Sequence, residues 1–508
     1  MTPYRWRRLR QITQWLFVLL FLYLFFGALP DSTALLPVDL FFRANPLAAL
    51  SASLARLELL PQFALALVVT ALTLAFGRVW CGWICPLGTV LELFTFRTIG
   101  WPVPQSWRRI KYFLLLTLLI LAALANQTLM VFDPLAILTR TLAAVALPLL
   151  NALVTGVESV LYTFPPLQQP LDVIEGFIRG PMLPFLQPYF QLNLLLALFF
   201  VGLVALNALT PRFWCRYLCP LGGLLGLLSK FALVRRTVGA GCNNCATCAA
   251  SCPTGAIDPS RGFQSDPAEC TVCFDCLTDC PRNGIGFRVV TRPAPWREYD
   301  PSRRTLLASA LTAVTGLALL RTAPAAFRRF ATLIRPPGSV EETLQARCIR
   351  CGECMQVCPT AGLQPCLLEA DLEGLWTPRL VPRLGYCDYG CNNCGQVCPT
   401  EAIPRLTLDE KRRVVMGLAY IDTNRCIPWA DNRDCIVCEE MCPTPEKAIV
   451  LDEVEVPDGQ GGTRTVHRPR VLRELCIGCG ICEYKCPLEG ESAIRVYAPT
   501  VEVALPNA

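Results

Sequence analysis

Cys242-x2-Cys245-x2-Cys248-x3-Cys252-Pro253 is followed by Cys270-x2-Cys273-x2-Cys276-x3-Cys280-Pro281, one pattern written twice within 40 residues. Three thiolates at intervals of three residues suit three irons of one cubane, and a fourth, displaced along the chain, reaches a neighbouring cluster. The spacing therefore predicts one cluster on Cys242, Cys245, Cys248 and Cys280, and a second on Cys270, Cys273, Cys276 and Cys252. Structural zinc, the competing reading, takes paired CxxC knuckles and has no use for a third regular Cys and a trailing Pro.

Outward from this stretch the chain is two kinds of protein joined. Of 508 residues 53% are hydrophobic, and the mean hydropathy is +0.41. Apolar runs concentrate before residue 230 and cysteines after residue 240, so a membrane part precedes a cofactor part. There are 29 cysteines, of which 24 fall in six four-cysteine runs each followed by Pro, a rule that no disulfide framework imposes. His467 is the single histidine, which excludes bis-His haem, CxxCH haem and a Rieske centre within the chain. A net charge of +6 without a basic, aromatic-interleaved cluster argues against nucleic acid as a partner.

The first 236 residues read as a polytopic α-helical membrane domain. Arg5, Arg7, Arg8 and Arg10 precede the apolar run Ile12 to Leu29, which fits a first span with its N-terminus in the cytoplasm. Phe63 to Trp80, Phe113 to Phe132 and Leu192 to Leu209 approach the ~20 residues a crossing needs, giving four expected spans. Leu142 to Leu153, interrupted by Pro148, is expected to be a short interfacial or buried helix. The segment Arg78-Val-Trp80-Cys81-Gly-Trp-Ile-Cys85-Pro86-Leu87-Gly88 shares seven of eleven positions with Arg212-Phe-Trp214-Cys215-Arg-Tyr-Leu-Cys219-Pro220-Leu221-Gly222. Asn45-Pro46-Leu47-Ala48 likewise answers Asp133-Pro134-Leu135-Ala136, so two related helix hairpins, each ending in CxxxCP at the cytoplasmic face, are expected. Convergence of Cys81, Cys85, Cys215 and Cys219 would bind a further metal centre or cycle as dithiols beside a quinone; otherwise the Cys-Pro pairs only mark helix ends.

Residues 237–290 form the α+β domain with two clusters, and 291–335 a linker. Within the linker Ser302-Arg303-Arg304-Thr305 opens an apolar run to Leu320, followed by Ala323-Pro324-Ala325-Ala326, the layout of a twin-arginine export signal. An amphipathic linker helix is the alternative, and Arg321, Arg328, Arg329 and Arg335 count against simple outward transfer. Export would set residues 336–508 in the periplasm and leave 240–290 in the cytoplasm. The tail, 336–508, carries four more runs: Cys348, Cys351, Cys354, Cys358; Cys387, Cys391, Cys394, Cys398; Cys426, Cys435, Cys438, Cys442; and Cys476, Cys479, Cys482, Cys486. The middle two widen only their first interval. Cys366 is left over and is expected to be a buried small residue.

On these motifs residues 1–290 resemble the NapH-type membrane ferredoxins, relatives of the NosR and CcoG groups, and residues 300–500 resemble the NapG and MauM ferredoxins. The resemblance implies a fusion that carries electrons between membrane quinol and a periplasmic or membrane oxidoreductase. It also implies nested pairing of the tail runs, the first with the fourth and the second with the third; sequential pairing is the alternative. The leading reading is a relay of six [4Fe-4S] clusters in a multi-pass inner-membrane protein, with lipid and quinone or a membrane redox partner around it. An assembly or metal-reduction factor of the CcoG kind, and a non-catalytic subunit of a larger respiratory complex, are the alternatives. No dinucleotide fingerprint, Walker loop or histidine constellation suggests substrate chemistry.

Overall fold

Twenty-five residues without an internal Gly or Pro make α1, Pro3–Gly27, about 38 Å long at 1.5 Å per residue. Its arginines cluster at the N-terminal end and one apolar side, including Ile12, Leu16 and Leu19, is exposed. The computed structural model describes residues 3–29, 35–95, 103–180, 182–185, 187–292, 294, 303–321, 333–457 and 462–498.

Two short helices start deep in this domain in the same way. Asn45 caps α2, Pro46–Arg56, by accepting from the backbone N–H of Leu47 and Ala48. Asp133 caps α6, introduced below, by accepting from Leu135 and Ala136. Each has Pro at its first position, where the missing N–H has no partner to lose. Between them run α3, Ala64–Phe76; a π-helical turn, Trp80–Ile84; α4, Pro86–Leu93; and α5, Arg108–Ala123. The second half repeats the sequence of elements: α6, Pro134–Thr141; α7, Leu147–Leu161; α8, Asn193–Ala205; a π-helical turn, Trp214–Leu218; and α9, Pro220–Ser229.

Among the described residues two helices are long and apolar enough to cross a membrane by length and composition, beside the four spans expected. One is α1. The other is the continuous helix Pro134–Leu161, in which the run expected as a short buried helix forms the middle. Pro148 does not break it because the π-helical turn Leu142–Ala146 comes just before, and its wider register absorbs the amide and the space that Pro denies. The other expected spans are shorter apolar helices, Pro61–Phe76 and Asn193–Ala208, and α5, whose first turn is charged.

The twin-arginine segment is helical as α10, Arg303–Leu320, and lies along α5 with Ser309 and Ala313 fully buried. Small side chains let the two backbones approach. Ala323 to Ala326 lie outside the described residues. Asn126, just past α5, and Arg321, just past α10, both bond the carboxylate of Glu373, at 3.0 and 2.9 Å, so the two helices run the same way.

The domain around residues 240–290 closes with β1, Val234–Val238, antiparallel to β2, Ile285–Val289. In the tail β3, Leu418–Ile421, pairs with β6, Ile494–Tyr497, and β4, Ile449–Pro457, with β5, Thr463–Val471. The two cofactor-type domains sit at opposite ends of the same helices. At the N-terminal ends, Arg10 bonds Glu92 at 3.0 Å and Asp275 at 3.5 Å, and Lys111 bonds Glu269 at 2.6 Å. At the C-terminal ends, Gln356 donates to the carbonyl of Phe25, Asn126 reaches Glu373, and Arg56 pairs with Glu401 at 3.7 Å. Arg10 and Phe25 lie 15 residues apart in α1, about 22 Å along its axis.

Candidate redox centres

Each cysteine triplet wraps through a tight turn into a helix of four or five residues that carries its third cysteine. Ala246 and Phe274 enter these helices in the left-handed region, at φ 60° and 64°, and Gly352 and Gly480 do the same in the tail at 89° and 81°. That reversal turns three sulfurs toward one point. In the domain of residues 240–290 Cys248 lies within electrostatic reach of Cys242, Cys245 and Cys280, while Cys252 joins Cys270, Cys273 and Cys276.

The tail brings its sixteen cysteines into four quartets. Three line small cavities: Cys358 with Cys387, Cys391 and Cys394; Cys426, Cys435 and Cys438 with Cys486; and Cys442 with Cys476, Cys479 and Cys482. The fourth gathers Cys348, Cys351 and Cys354 with Cys398. Pairing is thus sequential, first run with second and third with fourth, which corrects the nested order. Neighbouring runs close the shorter loops at the lower entropic cost. The two pairs meet where the N–H of Cys387 donates to the carbonyl of Cys479 at 2.8 Å. Cys366 belongs to no quartet and is fully buried, with Arg335 donating to its sulfur at 3.4 Å.

Among the described residues no three His, Cys, Asp or Glu side chains are arranged around a single metal ion. A cubane offers its irons at separate corners and holds its thiolates further apart than one ion does, so the quartets fit a polynuclear cluster better than zinc. Burial pushes the Cys270, Cys387 and Cys438 thiols up to about 12 each. Burial disfavours the thiolate at these sites, and a bound metal cation would favour it.

The π-helical turns bring together the two CxxxCP motifs. Cys85 and Cys219 are buried in one apolar core, and Cys81 and Cys215 pack against it. All four sulfurs are within electrostatic reach of one another. Arg78 lies between the motifs: its Nη2 is 3.9 Å from Cys81 Sγ and 2.8 Å from where a Cβ on Gly222 would stand. Its counterpart Arg212 pairs with Glu92 and reaches both Cys215 and Cys273. Both arginines stand three residues before the first Cys of their motif, a repeat visible in the sequence. Arg140 has no such signal, yet its guanidinium stacks 4.1 Å over Trp376 within reach of Cys348 and Cys351.

Motif one touches the smaller domain directly. Trp83 Nε1 donates to the carbonyl of Val272 at 3.0 Å, and a Cβ on Gly82 would stand 2.2 Å from the carbonyl oxygen of Thr271. In motif two Arg216 Nε donates to the carbonyl of Thr254 at 2.9 Å. The cluster loops around Cys252 and Cys270 to Cys276 therefore face the CxxxCP cysteines.

A family model described as a 4Fe-4S binding domain matches residues 60–104 and 192–240, each holding one CxxxCP motif, and a second of the same description matches 344–364. The methylamine utilization ferredoxin-type protein MauM of Methylorubrum extorquens is 36% identical over 208 residues, 39% of this chain and 89% of the relative. The ferredoxin-type protein NapG of Haemophilus influenzae is 33% identical over 209 residues, 39% of this chain and 72% of the relative. That of Escherichia coli is 35% identical over 169 residues, 32% and 69%. No solved structure matches.

Proposed function

Because the chain belongs to the family of NapG- and MauM-type ferredoxin proteins, iron–sulfur proteins of electron transfer, we propose that it is a membrane-bound relay whose six cysteine quartets hold [4Fe-4S] clusters in two groups, one on each face of the bilayer. One observation carries this reading: α1 holds the domain of residues 240–290 at Arg10 and the tail at Phe25. The exposed apolar side chains between these levels, among them Leu67, Leu198 and Leu311, are suited to lipid. Residues 1–290 act as a NapH-like membrane ferredoxin fused to the NapG-like tail, with α10 an uncleaved connecting helix rather than a removed signal.

Each cubane would supply one-electron storage at a potential tuned by charge, hydrogen bonds and exposure. The chain's own residues hold the quartets, exclude water and set their order. Cys242, Cys245, Cys248 and Cys280 are the more exposed quartet of the small domain, with Cys245 open to solvent, and suit a partner on that side. At the other end the quartet of Cys426, Cys435, Cys438 and Cys486 suits a periplasmic or membrane oxidoreductase. A quinone would reach the tail at a cavity of about 220 Å³ walled by Leu29, Ala143 and Leu147 on one side and by Gln356 and Cys358 on the other.

Protease added to right-side-out spheroplasts tests the topology. The tail is expected to be cut and residues 240–290 to survive; a tail that stays intact until lysis puts all six quartets on one face. Anaerobically purified protein is expected to carry about 24 iron per chain in these quartets, at four per cubane.

A further inference from the structure

We infer that Cys81, Cys85, Cys215 and Cys219 together hold a polynuclear iron–sulfur centre, and that electrons cross between the two ferredoxin groups through it without a diffusing quinone. This rests on the reading that the ferredoxin quartets hold cubanes.

The Cys-Pro pairs alone do not account for the motifs. Pro86 and Pro220 at the first positions of α4 and α9 explain why helices start there. They also suit the π-helical turns that hold Cys81 and Cys215, as at Pro148, but they give no reason for a second cysteine in each motif. Cys85 and Cys219 lie in one apolar core and Cys81 and Cys215 pack against it, so a hydrated ion would be out of place.

The buried donors around the quartet also ask for an acceptor. Arg10, Arg78, Lys111 and Arg212 are each at most 1% exposed, and the carboxylates facing them are Glu92, Glu269 and Asp275. Arg78 and Lys111 share Glu269, and Arg10 and Arg212 share Glu92. Among the described residues Arg212 Nη1 and the Nε atoms of Arg78 and Arg212 are buried without hydrogen-bond acceptors. Cationic donors left open beside four sulfurs fit a thiolate-bound cluster of net negative charge, whose sulfurs accept such bonds. Without such a cluster these buried N–H donors stay unsatisfied.

The quartet lies between the two groups. Arg212 spans from Cys215 to Cys273 on one side. On the other, Cys85 is within reach of Asp133, Asp133 of Arg140, and Arg140 of Cys351. Gln14 bonds the carbonyl of Gly82 at 3.0 Å, and Phe25 bonds Gln356, so the gap from motif to tail is about 16 Å along α1. It is narrower than the distance of about 22 Å between Arg10 and Phe25, where α1 meets the two domains.

The test uses full-length protein in quinone-free proteoliposomes. Photoreduced soluble ferredoxin is supplied outside, ferricytochrome c is trapped inside, and valinomycin with potassium balances the charge. Each electron delivered oxidises one external cluster and reduces one trapped haem iron. Wild type is expected to reduce the trapped haem, and the double variant Cys81→Ser, Cys215→Ser to do so at least a hundredfold more slowly. Iron should fall from about 28 to about 24 per chain for a cubane, or from about 26 for a binuclear centre. Wild type with no iron beyond the six quartets, or a variant that transfers at the wild-type rate, overturns the inference, as does transfer that appears only when quinone is added. Wild-type iron well below 24 fails the six-cubane reading itself, a separate result. Retention of the six-cluster spectrum in the variant shows that it has folded.

Discussion

The side-chain amide of Asn45 donates to the carboxylate of Asp133 at 2.7 Å, with neither residue exposed. Each is also the N-cap of its own helix, so this one bond ties the start of α2 to the start of α6, the two places where the sequence repeat aligns. Asn45→Ala removes a cap, worth about 1 kcal/mol, and strips a donor from a buried carboxylate, worth about 1–3 kcal/mol. A loss of about 2–4 kcal/mol in detergent-solubilised protein is expected from denaturant unfolding. Asn45→Asp, which sets two carboxylates face to face, should cost more. A change within 0.5 kcal/mol for either would mean that the two helix starts are not coupled.

Gly82→Ala should separate the small domain from the first motif. The new Cβ would stand 2.2 Å from the Thr271 carbonyl, and a backbone oxygen cannot yield as a flexible side chain can. In a helix Ala would otherwise be favoured over Gly by up to about 1 kcal/mol, so the sign of the effect is diagnostic. The expected outcome is about 1–3 kcal/mol of destabilisation and faster proteolysis around residues 240–290. Gly286→Ala, which meets open space, is the control.

Glu269 takes Lys111 at 2.6 Å and Arg78 at 3.4 Å, all three nearly or fully buried. Glu269→Gln leaves both cations without a counter-charge and should cost about 3–5 kcal/mol. The small domain should lose its anchorage first, which hydrogen exchange of residues 264–276 would register before the tail changes.

Arg140 should hold the potential of the quartet Cys348, Cys351, Cys354 and Cys398 high, because its buried charge favours the reduced cluster. Among the described residues its Nε and Nη1 are buried without acceptors. Arg140→Met is expected to lower one midpoint by about 60 mV or more, a tenfold change in a one-electron equilibrium, with Arg140→Lys intermediate. An EPR-monitored titration with all midpoints unchanged would remove the residue from this role.

Sequential pairing of the tail is testable by iron count. Cys358→Ser with Cys387→Ser removes two ligands from one quartet and should cost about four iron, whereas Cys358→Ser with Cys476→Ser strikes two quartets and should cost about eight. Nested pairing would give the reverse.

By itself the sequence determined the chemistry: runs of Cys at three-residue steps with trailing Pro announce cubane sites, because ligation depends on local spacing. It also determined the repeat and the apolar character of the first half, since both are written in residue identity. Which cysteines share a site in the tail depended on loop closure between runs that look alike, so the fourth cysteine of each run was free of any local rule until the chain folded. Helix length was likewise undecided, as at Pro148, where a π-helical turn carries the helix through a residue that reads as a break. The arrangement of Cys81, Cys85, Cys215 and Cys219 around Arg78 and Arg212 came from tertiary structure alone. The motifs stand 134 positions apart, and only the packing of two related halves around the Asn45–Asp133 bond brings them to one place.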